Sequence, residues 1–163
     1  ALSWSDAGLY TIAQLGGGLI GAFAVHLMFD LPILQYSVKA RAGIGQWTGE
    51  LVATFGLVLT IIGTVRNRAE WIAPSVALYI VAAYWFTSST SFANPAITVV
   101  RSLSDSFAGI APGDVPAFIA AQAAGAALGA VIGRRLFDIT NGWGGRHPIG
   151  ENVPIFVEAW APW

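Results

Sequence analysis

Cysteine is absent from the 163-residue chain, which excludes disulfides, thiolate metal sites and a thiol nucleophile, and predicts indifference to mercurials. Charge is scarce as well. Only 10% of the residues are Asp, Glu, Lys or Arg, where soluble domains carry roughly 25%. The formal net charge is −1, so there is no electrostatic footprint for nucleic acid. The two histidines, His26 and His147, lie far apart, and no metal site is expected from them. No nucleophile–base pair, metal cluster or phosphate loop is visible, so neither enzyme chemistry nor a cofactor is expected. The first residues lack a basic segment ahead of an apolar one and are not a signal peptide. The chain reads as one that begins partway through something longer.

What the chain has is apolar residues, 55% of the total, with a mean hydropathy of +0.63. A helix spanning the bilayer core needs about 20 mostly apolar residues. Four stretches qualify, at about Leu9–Phe29, Gln46–Val65, Trp71–Thr87 and Val115–Phe137. Charged residues gather between them, apart from Glu50 inside the second. Trp47 and Trp71 stand near span ends, where amphipathic rings favour the headgroup region. Arg66 and Arg68 join the second and third spans, and Arg134 and Arg135 end the fourth. Both pairs fall on one face, which the positive-inside rule makes cytoplasmic, together with the C-terminus. Lys39 and Arg41 lie on the other side and are outvoted. The expected location is the plasma (inner) membrane, multi-pass, with the lipid bilayer as first partner.

The connection from about Ser88 to Asp114 is then extracytoplasmic, yet its middle is apolar: FANPAITVV from Phe92. A solvated loop has no reason for that composition. A segment folding back into the membrane does, because irregular backbone at depth is tolerated where it lines a wet cavity. Asn94-Pro95-Ala96 opens it with helix-start chemistry, an Asn N-cap followed by Pro at the first helical position. Such an end carries unpaired N–H groups and about half a positive charge, which repels cations and offers donors to oxygen.

The chain also repeats itself. AQLGGGLIGA starts at Ala13 in the first span and AQAAGAALGA starts at Ala121 in the fourth. Each copy sets two glycines four apart on one helix face, where a second helix can approach closely in lipid. Three crossings separate the copies, so they run in opposite directions, as in inverted-topology folds. By the same offset, the counterparts of Asn94 and Glu50 would precede Ala1, and two further spans with a second re-entrant segment are expected there.

SFANPAITVVRSL, GELVATFGLVLTI and the duplicated A-Q-x-x-G-x-x-x-G-A together resemble the aquaporin and glycerol-facilitator family over roughly residues 9 to 137. The resemblance implies an all-α transmembrane, inverted-repeat helix bundle. Residues 1–137 would form a partial channel domain holding the family's third to sixth helices, plus a half-helix at about 94–104. In such channels two Asn-Pro-Ala half-helices meet at mid-membrane, and their asparagines orient a single file of solute. Asn94, Pro95 and Ala96 match one of that pair. Glu50 matches a glutamate that braces the pore loops by accepting backbone hydrogen bonds. Thr54, one turn along, and the repeat glutamines Gln14 and Gln122 are expected to support the same loop.

The departures bear on selectivity. Family members usually follow the second Asn-Pro-Ala with a filter arginine, where this chain has Ile97. The filter position on the third span falls at Ala82, which is histidine in water-selective members, and Ser91 sits at the same constriction. The implied gate is wider and less polar, suited to uncharged polyols or trivalent metalloid hydroxides. Ile97 and the SLSDSFAGIAP stretch from Ser102 resemble bacterial channels associated with arsenite. Arg101 lies one turn beyond Ile97 on the same helix face and would either line the pore from deeper in or, the favoured reading, pair with Asp105 or a loop. Residues 138–163, rich in Gly, Pro and Trp, are expected to lie at the interface or dock a partner. The implied function is passive transport of water, glycerol or arsenite. The assembly would be a homotetramer, or a pore completed by a second chain. The alternative is a non-conducting structural subunit derived from such a channel.

Overall fold

The computed structural model describes residues 3–137, which are helical with no strand among them. The tail at 138–163 and His147 lie outside the described residues. The helices are α1 (Trp4–Met28), α2 (Ile44–Asn67), α3 (Ile72–Phe86), α4 (Pro95–Arg101) and α5 (Val115–Phe137). Short 3-10 turns, Ala69–Trp71 and Pro112–Asp114, lead into α3 and α5. Four of these segments are long and apolar enough to cross a membrane, namely α1, α2, α3 with its leading turn, and α5 with its own. The chain is a multi-pass membrane protein.

Hydropathy located the spans, while local chemistry sets their ends. α1 starts five residues before the first apolar stretch because Ser3 and Asp6 form a capping box. The Ser3 hydroxyl accepts from the Asp6 N–H, and the Asp6 carboxylate accepts from the Ser3 N–H. Those bonds satisfy two of the donors that every helix start leaves open. α4 is shorter than its sequence outline, ending at Arg101 rather than near residue 104. There the Ser102 hydroxyl donates to the Val99 carbonyl at 2.6 Å. The Ile110 N–H returns to the Arg101 carbonyl at 3.4 Å and turns the chain away.

α2 and α5 form the tightest pair. A methyl group at Gly125 would run into the Leu51 carbonyl oxygen, and one at Gly129 would lie 2.9 Å from the Phe55 carbonyl. The second copy of the repeat is thus the seam on which α5 meets α2, with Val58, Ile62 and Ala126 buried beside it. In the first copy, Gly17 and Gly21 face open space, and it is Gly18 that meets Val100 of α4. α3 leans on α2 through Tyr79, whose hydroxyl donates to the Ala53 carbonyl at 2.9 Å. At the far end of α2 the Arg66 guanidinium donates to the Phe137 carbonyl at 3.4 Å. That contact places the Arg66 and Arg134–Arg135 clusters at one end of the bundle.

The connection from α1 to α2, residues 29–43, folds across the opposite end. It is stitched to the segment after α4: Ser37 N–H to Ser102 carbonyl at 2.9 Å, and Ala111 N–H to Lys39 carbonyl at 2.7 Å. His26 joins the same seam with no exposure at all. Its Nδ1 lies 2.9 Å from the Ile33 carbonyl and its Nε2 lies 3.1 Å from the Ser104 hydroxyl.

Candidate functional site

The turn that leads into α4 is strained. Thr90, Ser91 and Ala93 have φ of 62°, 46° and 45°, in the left-handed region that costs a non-glycine residue roughly 1–2 kcal/mol. A turn like this persists only where its surroundings over-determine it. Glu50 supplies the restraint from the second turn of α2. Its carboxylate accepts from the Phe92 N–H at 2.8 Å, the Ala93 N–H at 2.9 Å and Gln122 Nε2 at 2.6 Å. Glu50 and Gln122 have no exposure. Three donors converging on one carboxylate offset the cost of burying its charge.

The same network reaches the tip of the half-helix. Gln122 also donates to the Thr98 hydroxyl at 2.9 Å, which in turn donates to the Asn94 carbonyl at 2.7 Å. Asn94 Oδ1 caps α4 by accepting from the Ile97 N–H at 3.0 Å. With Oδ1 spent on the cap, its Nδ2 is left to donate outward, and no partner takes it among the described residues. Pro95 fills the first helical position, and Ala96 is buried. The tip is therefore fixed from α2 through Glu50 and from α5 through Gln122, while Gly18 of α1 packs against Val100 in the last turn of the half-helix.

A second cluster stands beyond the tip, toward the folded-over loop. Phe92 is buried against Phe118, ring centroids 5.3 Å apart, and Ile110 completes that small core. The guanidinium of Arg41 lies 4.9 Å from the Phe92 centroid and that of Arg101 lies 4.2 Å from it. Arg41 is 3% exposed. It donates to the carbonyls of Gly109 at 2.6 Å, Ser89 at 2.8 Å and Phe107 at 3.0 Å. Burial holds its pKa below the usual arginine range, and repulsion from Arg101 adds to that, partly countered by Glu50. Arginine stays charged through such shifts.

Glu50, Gln122, Asn94, Pro95 and Ala96 thus meet around one turn, and Ile97 stands half-buried on the same helix beside Asn94. Ala82 is exposed on α3, and Gln14 is half-buried on α1. Ser91 is buried, with its hydroxyl unpartnered. Thr54 gives the loop no hydrogen bond, because its hydroxyl is buried without a partner. The pairing of Arg101 with Asp105 does not form. The Asp105 carboxylate is taken by the Val38 N–H at 3.1 Å, and the aromatic ring draws Arg101 instead. Arg41 was missed as a site residue, since a lone arginine in a loop reads as solvated until the loop is seen folded inward. The positive-φ turn gave no glycine signal, so it too was hidden. Among the described residues no group of acidic, His or Cys side chains could hold a metal ion.

No family model matches the chain, and no solved structure does either. The chain is similar to the aquaglyceroporin AqpS of Rhizobium meliloti strain 1021, with 49% identity over 135 residues. The match covers 83% of the chain and 58% of the relative, so the chain spans little more than half of that protein's length. Taken with the four apolar spans, the half-helix set between them and the glutamate that holds its turn, this likeness supports membership of the aquaporin and glycerol-facilitator family.

Proposed function

We propose that the complete protein is a passive channel for small uncharged solutes, with Asn94, Pro95, Ile97 and Ala82 along its passage and Ala96 packed behind them. One observation carries this reading. A strained, fully braced turn presents the Asn94 amide at the end of a half-helix set among four apolar spans. A protein that only needed a packed core would gain nothing from burying Glu50 to hold a left-handed turn. Irregular backbone at this depth is tolerated where it borders water. The relative's name supports a solute range that includes glycerol.

The apolar pair Ile97 and Ala82 favours polyols and trivalent arsenite over strict water selection. A wall without hydrogen-bond partners does not discriminate for the smallest hydroxylic solute. Gly17 and Gly21 face open space on α1, where their counterparts Gly125 and Gly129 are packed. A further apolar helix fits that stripe, from the same polypeptide or from a neighbouring one.

The test is stopped-flow light scattering of liposomes holding the complete protein, with osmotic steps of water, glycerol and arsenous acid. Flux above bare lipid is expected for glycerol. Flux equal to bare lipid for all three would support the structural-subunit reading instead.

A further inference from the structure

Arg41 and Arg101 share one aromatic ring but use their donors differently. Arg41 spends Nε, Nη1 and Nη2 on the carbonyls of Gly109, Ser89 and Phe107. Arg101 has its guanidinium 4.2 Å from the Phe92 centroid, while its Nη1 is buried with no partner. The carboxylates near the cluster are engaged elsewhere. Asp105 accepts from Val38, Asp114 accepts from the Arg41 N–H at 2.7 Å, and Glu50 is filled by Phe92, Ala93 and Gln122. Among the described residues Arg101 forms no ion pair. A cation kept inside a membrane protein without a counter-charge is costly unless it borders water or a solute path.

Its place on α4 gives the direction of that path. Asn94, Ile97 and Arg101 follow one another at three and four residues, so they share a helix face. All three are half-buried, whereas Ala96, Thr98 and Val100 are sealed into protein. The ring against Arg101 cannot yield, since Phe92 is 4% exposed and lies in a core with Phe118 and Ile110. Arg41 locks the loops around that ring.

We infer that Arg101 is a specificity-determining residue of the passage: a half-buried, pre-positioned cation without an ion pair among the described residues, one helical turn outward of Ile97. It turns back cations and offers N–H donors to the oxygens of uncharged hydroxylic solutes. Arg41 is the positioning residue that holds its aromatic support. This rests on the channel reading, and deepens it by moving the charge that Ile97 lacks to a different residue.

The experiment uses the complete protein in liposomes, with glycerol as the neutral probe and guanidinium ion as a permanently charged one. Wild type is expected to pass glycerol and reject guanidinium. Arg101→Met should raise the ratio of guanidinium to glycerol flux by about tenfold, a gain that shrinks at high salt. Arg101→Gln serves as the second charge-removing variant should the first fail to insert. Arg101→Lys keeps the charge without the planar guanidinium and should still reject guanidinium. Unchanged rejection in both neutral variants, with glycerol still moving, overturns the inference and leaves the channel reading in place. A Lys variant that leaks like Met also overturns it, because packing rather than charge would then be the cause. Wild type that passes no glycerol ends both readings.

Discussion

Replacing Glu50 by Gln keeps the side-chain shape and removes one property, the ability to accept from every side. Three donors meet the carboxylate at 2.6 to 2.9 Å. A Gln amide offers one oxygen, and its NH2 must face at least one of those N–H groups. Hydrogen bonds to a charged group contribute about 1.5–3 kcal/mol each, and an orphaned buried donor costs about 1–3 kcal/mol. The left-handed residues Thr90, Ser91 and Ala93 would lose their restraint at the same time. Together these give an expected destabilisation of about 3–5 kcal/mol, the range for breaking a buried charged pairing. That is a large part of the 5–15 kcal/mol that about spans the stability of a native domain. Tryptophan fluorescence during chemical unfolding in detergent would measure it for the complete protein. A loss below about 1 kcal/mol would refute the brace, because the three bonds would then be replaceable.

Other residues give contrasting outcomes in the same unfolding assay. Thr54→Val should be neutral or stabilise by about 1 kcal/mol, since it removes a buried hydroxyl that has no partner. A marked loss would mean that Thr54 has a bond the structure lacks. Gly125→Ala should destabilise by about 1–3 kcal/mol, because the new methyl meets the Leu51 carbonyl on the α2–α5 seam. Arg41→Met should cost about 2–4 kcal/mol by orphaning the carbonyls of Gly109, Ser89 and Phe107. Limited proteolysis of the 29–43 loop should quicken with it; an unchanged digestion pattern would count against the stitched loop.

How much of this was legible before the structure varies with the physics involved. The spans were plain, because lipid demands long apolar runs and the chain has four. Glu50 stood out as a carboxylate where carboxylates are costly. The repeat marked Gly125 and Gly129, although sequence alone could not tell that the matching Gly17 and Gly21 would face open space. Arg41 was hidden because its importance comes from long-range closure: its partners lie from 48 to 68 residues away along the chain. The predicted Arg101–Asp105 pair used proximity on a helix, but α4 ends at Arg101, so Asp105 is not on that helix. The turn at 90–93 has no glycine to announce its positive φ. Its conformation is imposed by Glu50 rather than encoded locally.

Ile97→Cys offers the most direct measurement, because this chain has no cysteine to compete for a thiol reagent. In a background otherwise free of cysteine, an anionic methanethiosulfonate added from outside should label that position. Labelling should then close the route to glycerol, and excess glycerol should slow the modification. Complete labelling with glycerol flux unchanged would contradict the claim that the face of α4 holding Asn94 and Ile97 lines the passage.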